Sequence, residues 1–208
     1  MLPVHTRESE SGEPRSKPFS LPITNPSGRR LTTSNLRDRA FYEPEQKKAI
    51  NLTYEKPDDD QPIKVTYGPE YFDSYRALQG MEFSHGFNLA YNESDQKSRL
   101  ESTAIATCKN MGSSLLLSEL GNEADFYPVF PNYCRPPDWN MTQYVHEWNW
   151  KSGVMAKAMK ENCPGLSVGF IAPTFIWTNF SGLPPWNAAE AFKLGLDTTY
   201  IKEIALHK

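Results

Sequence analysis

The chain has 208 residues, 38% of them hydrophobic and 23% charged, with a formal net charge of −3. That length supports one medium-sized core, and the near-neutral balance gives no electrostatic hold on nucleic acid or an anionic membrane. No apolar run approaches the roughly 18 residues that a membrane span requires.

Residues 1–36 carry five prolines among dense Ser, Glu and Arg, without apolar periodicity. They read as a disordered or non-native segment ahead of a domain over residues 37–208. The opening MLPVHTRESESGEPRSK lacks the apolar core of a signal peptide. Phe41–Ile50 reads as irregular structure and Lys56–Pro62 as a polar turn, whose acidic run Asp58–Asp60 completes no calcium-loop pattern.

From Ile63 onward, strands and helices alternate. Ile63–Tyr67 reads as a short strand, and Pro69 opens a helix with Tyr71, Phe72, Tyr75 and Leu78 on one face. Phe83–Ala90 is the next strand, with His85 as an interior, hydrogen-bonded residue. Ser94 caps a helix carrying Leu100, Ala104, Cys108 and Met111, which Gly112 ends. The strand Leu115–Gly121 follows, then a loop with Tyr127, Phe130, Tyr133 and Arg135, whose aromatics either stack on a ligand or pack the loop down. Asp138 or Asn140 opens the longest helix, with Met141, Tyr144, Val145, Trp148, Met155 and Met159 on its core stripe. Leu166–Ile171 is a buried strand ending at Ala172-Pro173. Asn187 and Glu190 offer a capping box for a last helix, and Ile201–His207 is a final strand. The order predicts a parallel sheet of βα units, about half of an (β/α)₈ barrel of the TIM type.

In such a barrel the chemistry sits where strands end, which places Asn122 and Glu123 on the rim. A carboxylate beside an amide suits glycoside hydrolysis, with Glu123 protonating a leaving oxygen and Asn122 holding a sugar hydroxyl. The same dipeptide also serves as a turn or a helix cap. Glu119, four residues earlier, falls on the same side by strand alternation and reads as a structural carboxylate paired with an interior base. Sequons at Asn51, Asn92, Asn140 and Asn179, all in expected loops or element ends, point to a secreted glycoprotein. A truncated or misassembled N-terminus would reconcile them with the polar start. Cys108, Cys134 and Cys163 form no disulfide framework or metal-ligand spacing. Cys108 and Cys163 both fall at the ends of consecutive helices, yet helix axes about 8–10 Å apart argue against a bridge that needs Cα atoms within about 7 Å.

FSHGFNLA, LLLSELGNEADFY, RPPDWNMTQYVHEW and VGFIAPTF, in that order, resemble glycoside hydrolase family 79. Its members include fungal β-glucuronidases and heparanases, and INLTYEKPDDDQPIKVTYGPEYFDSYRAL fits the fungal branch. The resemblance runs from about Asp38 to Lys208 and implies a clan-A (β/α)₈ barrel that retains anomeric configuration on β-glucuronides of polysaccharides or proteoglycans. It implies no cofactor and no metal. Gly121-Asn122-Glu123 matches the motif closing the family's fourth strand, so Glu123 inherits the acid/base role and Asn122 the contact to the sugar 2-hydroxyl. His207 would close the sixth strand near the substrate, and Arg37 or Arg39 would reach it from the second.

There are departures. Ala124 stands where the family usually has Pro, and GRRLTTSNLRDR lacks the family's glycine pair. The family's nucleophilic Glu lies on a seventh strand, beyond Lys208. Retaining hydrolysis needs both carboxylates, about 5–5.5 Å apart, so this chain is expected to be inactive alone. The alternatives are a non-catalytic carbohydrate-binding pseudoenzyme and a truncated gene model.

Overall fold

The computed structural model describes residues 23–24, 30–32, 37–78, 80–129, 135–176 and 186–207. In chain order its elements begin with β1 (Ile23–Thr24), β2 (Arg30–Thr32), a 3₁₀ turn over Arg37–Arg39, β3 (Ala40–Tyr42), β4 (Ile50–Thr53) and β5 (Lys64–Tyr67). A 3₁₀ turn over Pro69–Phe72 leads into α1 (Asp73–Arg76), followed by β6 (Glu82–Phe87), α2 (Gln96–Met111) and β7 (Leu115–Leu120). The rest comprises α3 (Met141–Asn162), β8 (Phe170–Ile176), α4 (Ala188–Lys193) and β9 (Ile201–His207).

Two sheets result. The larger has the order β1-β2-β6-β7-β8-β9, parallel throughout except for β1, which runs antiparallel to β2. The smaller has the order β3-β5-β4. Parallel neighbours need crossovers, and here α2 connects β6 to β7 while α3 connects β7 to β8. The sheet therefore draws on Arg30–Thr32, inside the segment that composition assigns outside the domain: Leu31 pairs with Phe83 and Thr32 with Ser84. Three residues between polar neighbours are too few to show a period.

Local chemistry explains most boundaries. Asn140 caps α3 through a reciprocal box: its Oδ1 accepts from Gln143 N at 3.1 Å and its own N–H donates to Gln143 Oε1 at 2.8 Å. The buried face of α3 is the expected stripe, and Trp148 meets Phe170 of β8 with ring centroids 5.7 Å apart. On α2, Asp95 rather than Ser94 is the N-cap residue. Asn187 Oδ1 accepts from Glu190 N at 2.9 Å and starts α4. The Lys56–Pro62 turn is held by Asp59, whose carboxylate accepts Lys56 N at 2.8 Å.

Three expectations shift. β8 starts at Phe170 and continues through Pro173 to Ile176 instead of stopping at Ala172. A proline cannot donate to a ladder, and the β8–β9 register slips between Ile171 and Thr174, so the strand resumes beyond it. β3 takes in Phe41 and Tyr42 of the expected irregular stretch, whose last residue, Ile50, starts β4. β4 is exposed on both faces, so its residues carry no burial pattern. Finally, Cys108 and Cys163 are joined by a disulfide with Cα atoms 6.2 Å apart. Cys163 is the C-cap residue of α3 rather than part of its body, and Cys108 lies in the last turn of α2.

Candidate active site

β7 ends at Leu120, and the next three residues turn away from the sheet. Gly121 has φ +79°, and a Cβ there would lie 2.7 Å from Leu89 and 2.9 Å from the Tyr127 hydroxyl. Only glycine meets both conditions without strain. Glu123 follows at φ 52° and ψ 48°, the one non-glycine residue with positive φ among those described. A side chain costs about 1–2 kcal/mol in that conformation, so the surroundings must impose it. Strand alternation thus stops at Leu120, and this turn sets where Glu123 points.

Hydrogen bonds pin each residue of the turn. Glu123 N donates to Thr174 O of β8 at 2.8 Å, and Thr174 Oγ1 donates to Gly121 O at 3.0 Å. Asn122 N donates to Asp38 Oδ2 at 2.9 Å, while Asp38 Oδ1 accepts Leu89 N at 2.9 Å and Ala90 N at 3.4 Å. The Tyr127 hydroxyl faces the same carboxylate. Burial pushes the Asp38 carboxyl above its ordinary range; Arg37 and the donated N–H groups pull the other way. Trp139 Nε1 donates to Ala124 O at 3.0 Å, and Ile176 N to Asp125 Oδ1 at 3.1 Å, fixing the short 3₁₀ turn after Glu123.

Behind this turn, the Leu89–Tyr91 segment is held from its carbonyl side. Arg135 donates to Ala90 O and, at 3.2 Å, to Leu89 O; Lys151 Nζ donates to Leu89 O and Tyr91 O, each at 2.6 Å. Glu147 joins both cations, 2.6 Å from Arg135 and 2.5 Å from Lys151. Burial lowers the Lys151 pKa, and Glu147 opposes that shift. Each charge in this cluster is paired and hydrogen-bonded, the condition for keeping charge in an interior.

Glu123 and Asn122 are both buried, and the carboxamide oxygen of Asn122 has no partner among the described residues. Glu119 forms a buried ion pair with Arg37, the interior base its position called for. Arg37 thus pairs with Glu119, and Arg39 donates to Pro62 O at 3.1 Å. His85 is buried with Nδ1 3.0 Å from the Tyr75 hydroxyl; burial, then Arg37, lowers its pKa to about 3. The backbone of His207 ends β9 opposite Ile176, on the same edge of the sheet as the turn; its side chain lies outside the described residues. Of the loop aromatics, Tyr127 is packed down, stacked on Trp139 at 6.3 Å, while Phe130 and Tyr133 fall outside the described residues.

Asn51 lies within β4, an edge strand rather than a loop, whereas Asn92 precedes α2 and Asn140 caps α3. Asn179 is outside the described residues. Among the described residues no group of three or more His, Cys, Asp or Glu could hold a metal ion, and no helix is long and apolar enough to cross a membrane. Asp38, Trp139, Arg135, Lys151 and Thr174 escaped the sequence reading as parts of this site. Only the polarity of Arg135 and Lys151 inside otherwise apolar stretches hinted at them.

A parallel sheet with crossover helices and a polar rim is a fold shared with a solved enzyme. The structure of a 4-O-α-L-rhamnosyl-β-D-glucuronidase from Fusarium oxysporum matches 86% of this chain and 36% of its own length, with a TM-score of 0.62 and 20% identity. In sequence, the chain is similar to a beta-glucuronidase of Aspergillus niger, 37% identical over 178 residues (83% of this chain, 32% of the relative). A beta-glucuronidase of Neurospora crassa is 32% identical over 150 residues, 68% of this chain and 27% of its own. No family model matches. The chain is thus a relative of fungal β-glucuronidases, as its segments implied, and spans about a third of their length.

Proposed function

We propose that the chain forms the acid/base half of a retaining β-glucuronidase of glycoside hydrolase family 79, built on consecutive βα units of a (β/α)₈ barrel. The domain runs through residues 37–208 and takes in the β2 strand ahead of them. The observation that carries this reading is the buried carboxamide oxygen of Asn122, without a partner among the described residues, beside Glu123 at the end of β7. An acceptor buried without a partner costs about 1–3 kcal/mol, and a sugar 2-hydroxyl would satisfy it by donating its O–H.

Glu123 then gives its proton to the glycosidic oxygen as a carboxylate attacks the anomeric carbon, and afterwards takes a proton from the water that releases the sugar. In the family that second carboxylate comes from a seventh strand, and the part these 208 residues play is to bind the glucuronide and supply the acid/base. Similarity to beta-glucuronidases over 83% of the chain supports the substrate class. Secretion, and glycans at the sequons, follow from the same reading.

The test is titration of the chain with methyl β-glucuronide, followed by tryptophan fluorescence, beside a hydrolysis assay with p-nitrophenyl β-glucuronide. Saturable binding that Asn122→Ala weakens about tenfold, one lost hydrogen bond's worth, is expected. Absence of binding would overturn the claim of a glucuronide site, and hydrolysis that Glu123→Gln leaves intact would overturn the acid/base role.

A further inference from the structure

Away from the turn, the start of α2 and the N-terminal half of α3 line an open groove of about 530 Å³. Trp139 and Trp150 contribute aromatic surface, and Gln96, Thr142, Gln143 and His146 contribute hydrogen-bonding groups. Trp150 is 39% exposed, unusual for so large an apolar side chain. Apolar faces ringed by amides, a hydroxyl and an imidazole suit a sugar ring, which has C–H faces and a polar edge, and the volume is in the range of a ligand site.

Asn92 lies on the rim of this groove and heads the sequon Asn92-Glu93-Ser94. Its side chain is exposed and makes no hydrogen bond among the described residues. The second nearby sequon contrasts with it. The amide of Asn140 donates to Asp138 O at 3.1 Å while its oxygen caps α3, so both ends are engaged. We infer that the groove is the seat of an N-linked glycan carried by Asn92.

The modification itself is a simple exchange. The Asn92 amide nitrogen forms a bond to the anomeric carbon of a lipid-diphosphate-linked oligosaccharide. The bond from that carbon to the diphosphate oxygen breaks, the lipid diphosphate leaves with the electron pair, and the amide gives up one proton. Once attached, the glycan is tethered beside the groove at an effective concentration of order millimolar. Weak stacking on Trp150 is then enough to keep it seated. The floor of the groove is Trp139, whose indole N–H holds Ala124 O next to Glu123, so a seated glycan also shields the back of the turn.

The experiment is expression of the full chain behind an added secretory leader in a eukaryotic host, followed by peptide mass spectrometry at Asn92. Endoglycosidase release is then timed on the folded wild type and on folded Trp150→Ala. The expected result is an occupied Asn92 whose glycan leaves on the order of tenfold more slowly from the wild type than from Trp150→Ala. Removal from the wild type should also red-shift tryptophan emission, and Trp150→Phe should abolish that shift. An unoccupied Asn92, or equal release rates in the two proteins, overturns the inference.

Discussion

The Asp38 carboxylate accepts the backbone N–H of Asn122 across 84 residues of sequence, at 2.9 Å. The same side chain holds Leu89 and Ala90, so one carboxylate joins the ends of β6 and β7 to the segment before β3. Replacing it leaves buried N–H groups without acceptors, at about 1–3 kcal/mol each. Asp38→Ala is therefore expected to destabilise the chain by more than any exposed carboxylate does. Asp38→Asn should recover only part of the loss, because its amide presents a donor to a donor. Urea unfolding of the two variants beside Asp59→Asn checks the order, and amide exchange at Asn122 should speed up in both Asp38 variants. Equal stability of Asp38→Ala and Asp59→Asn would show that Asp38 holds nothing.

His85 gives a pH dependence. Its folded pKa of about 3 lies below the ordinary 6.5, so the unfolded chain binds the extra proton between those values. The stability from keeping His85 neutral is whole above pH 6.5 and is lost as pH falls towards 3. Within that window the slope is about 1.4 kcal/mol per pH unit. Arg37 adds to the shift and Tyr75 supplies the hydrogen bond to Nδ1. His85→Phe fits the ring cluster of Phe72, Tyr75 and Phe87 but has no proton to gain. Unfolding free energies at pH 4, 5, 6 and 7 should fall more steeply for the wild type by about that slope. Parallel curves would mean that the ring is protonated in the fold.

The disulfide joins the ends of α2 and α3 across a separation of 55 residues. Closing a loop of that length removes unfolded-state entropy worth roughly 4 kcal/mol, with measured effects often smaller. Cys108→Ser is expected to lower the unfolding midpoint in urea, and a thiol reductant should lower the wild type to the same value without moving the variant. A reductant that shifts both proteins equally would place the effect elsewhere.

What was legible in the sequence was what local chemistry decides. The run Leu115–Leu120, the Asn140 cap and the Trp148 stripe announce themselves within a few residues, and so does the position of Asn122-Glu123 at a strand end. What was not legible depends on partners distant in sequence. Arg37 and Glu119 are 82 positions apart, and Lys151 meets Leu89 across 62. Glu119 reads alone as a buried carboxylate in want of a base, but neither its partner Arg37 nor the carbonyls that Lys151 meets can be picked out locally. β2 is too short to show a pattern, and the end of β8 is hidden by a proline that ordinarily stops a strand.

Glu123 separates backbone strain from chemistry. Its left-handed φ of 52° costs any side chain, whatever that side chain does. Comparison of Glu123→Ala with Glu123→Gly cancels the loss of the carboxylate and leaves mainly the Cβ. Glycine should therefore be the more stable of the two by about 1 kcal/mol. That difference is the strain held in place by Thr174, Asp38 and Trp139 through the neighbouring backbone. In an ordinary strand or helix the sign reverses, because glycine then loses more entropy on folding than alanine. Urea unfolding of the two variants gives the answer directly. Alanine as stable as glycine would mean that the turn relaxes to negative φ once the carboxylate is gone, so that the glutamate itself holds the conformation.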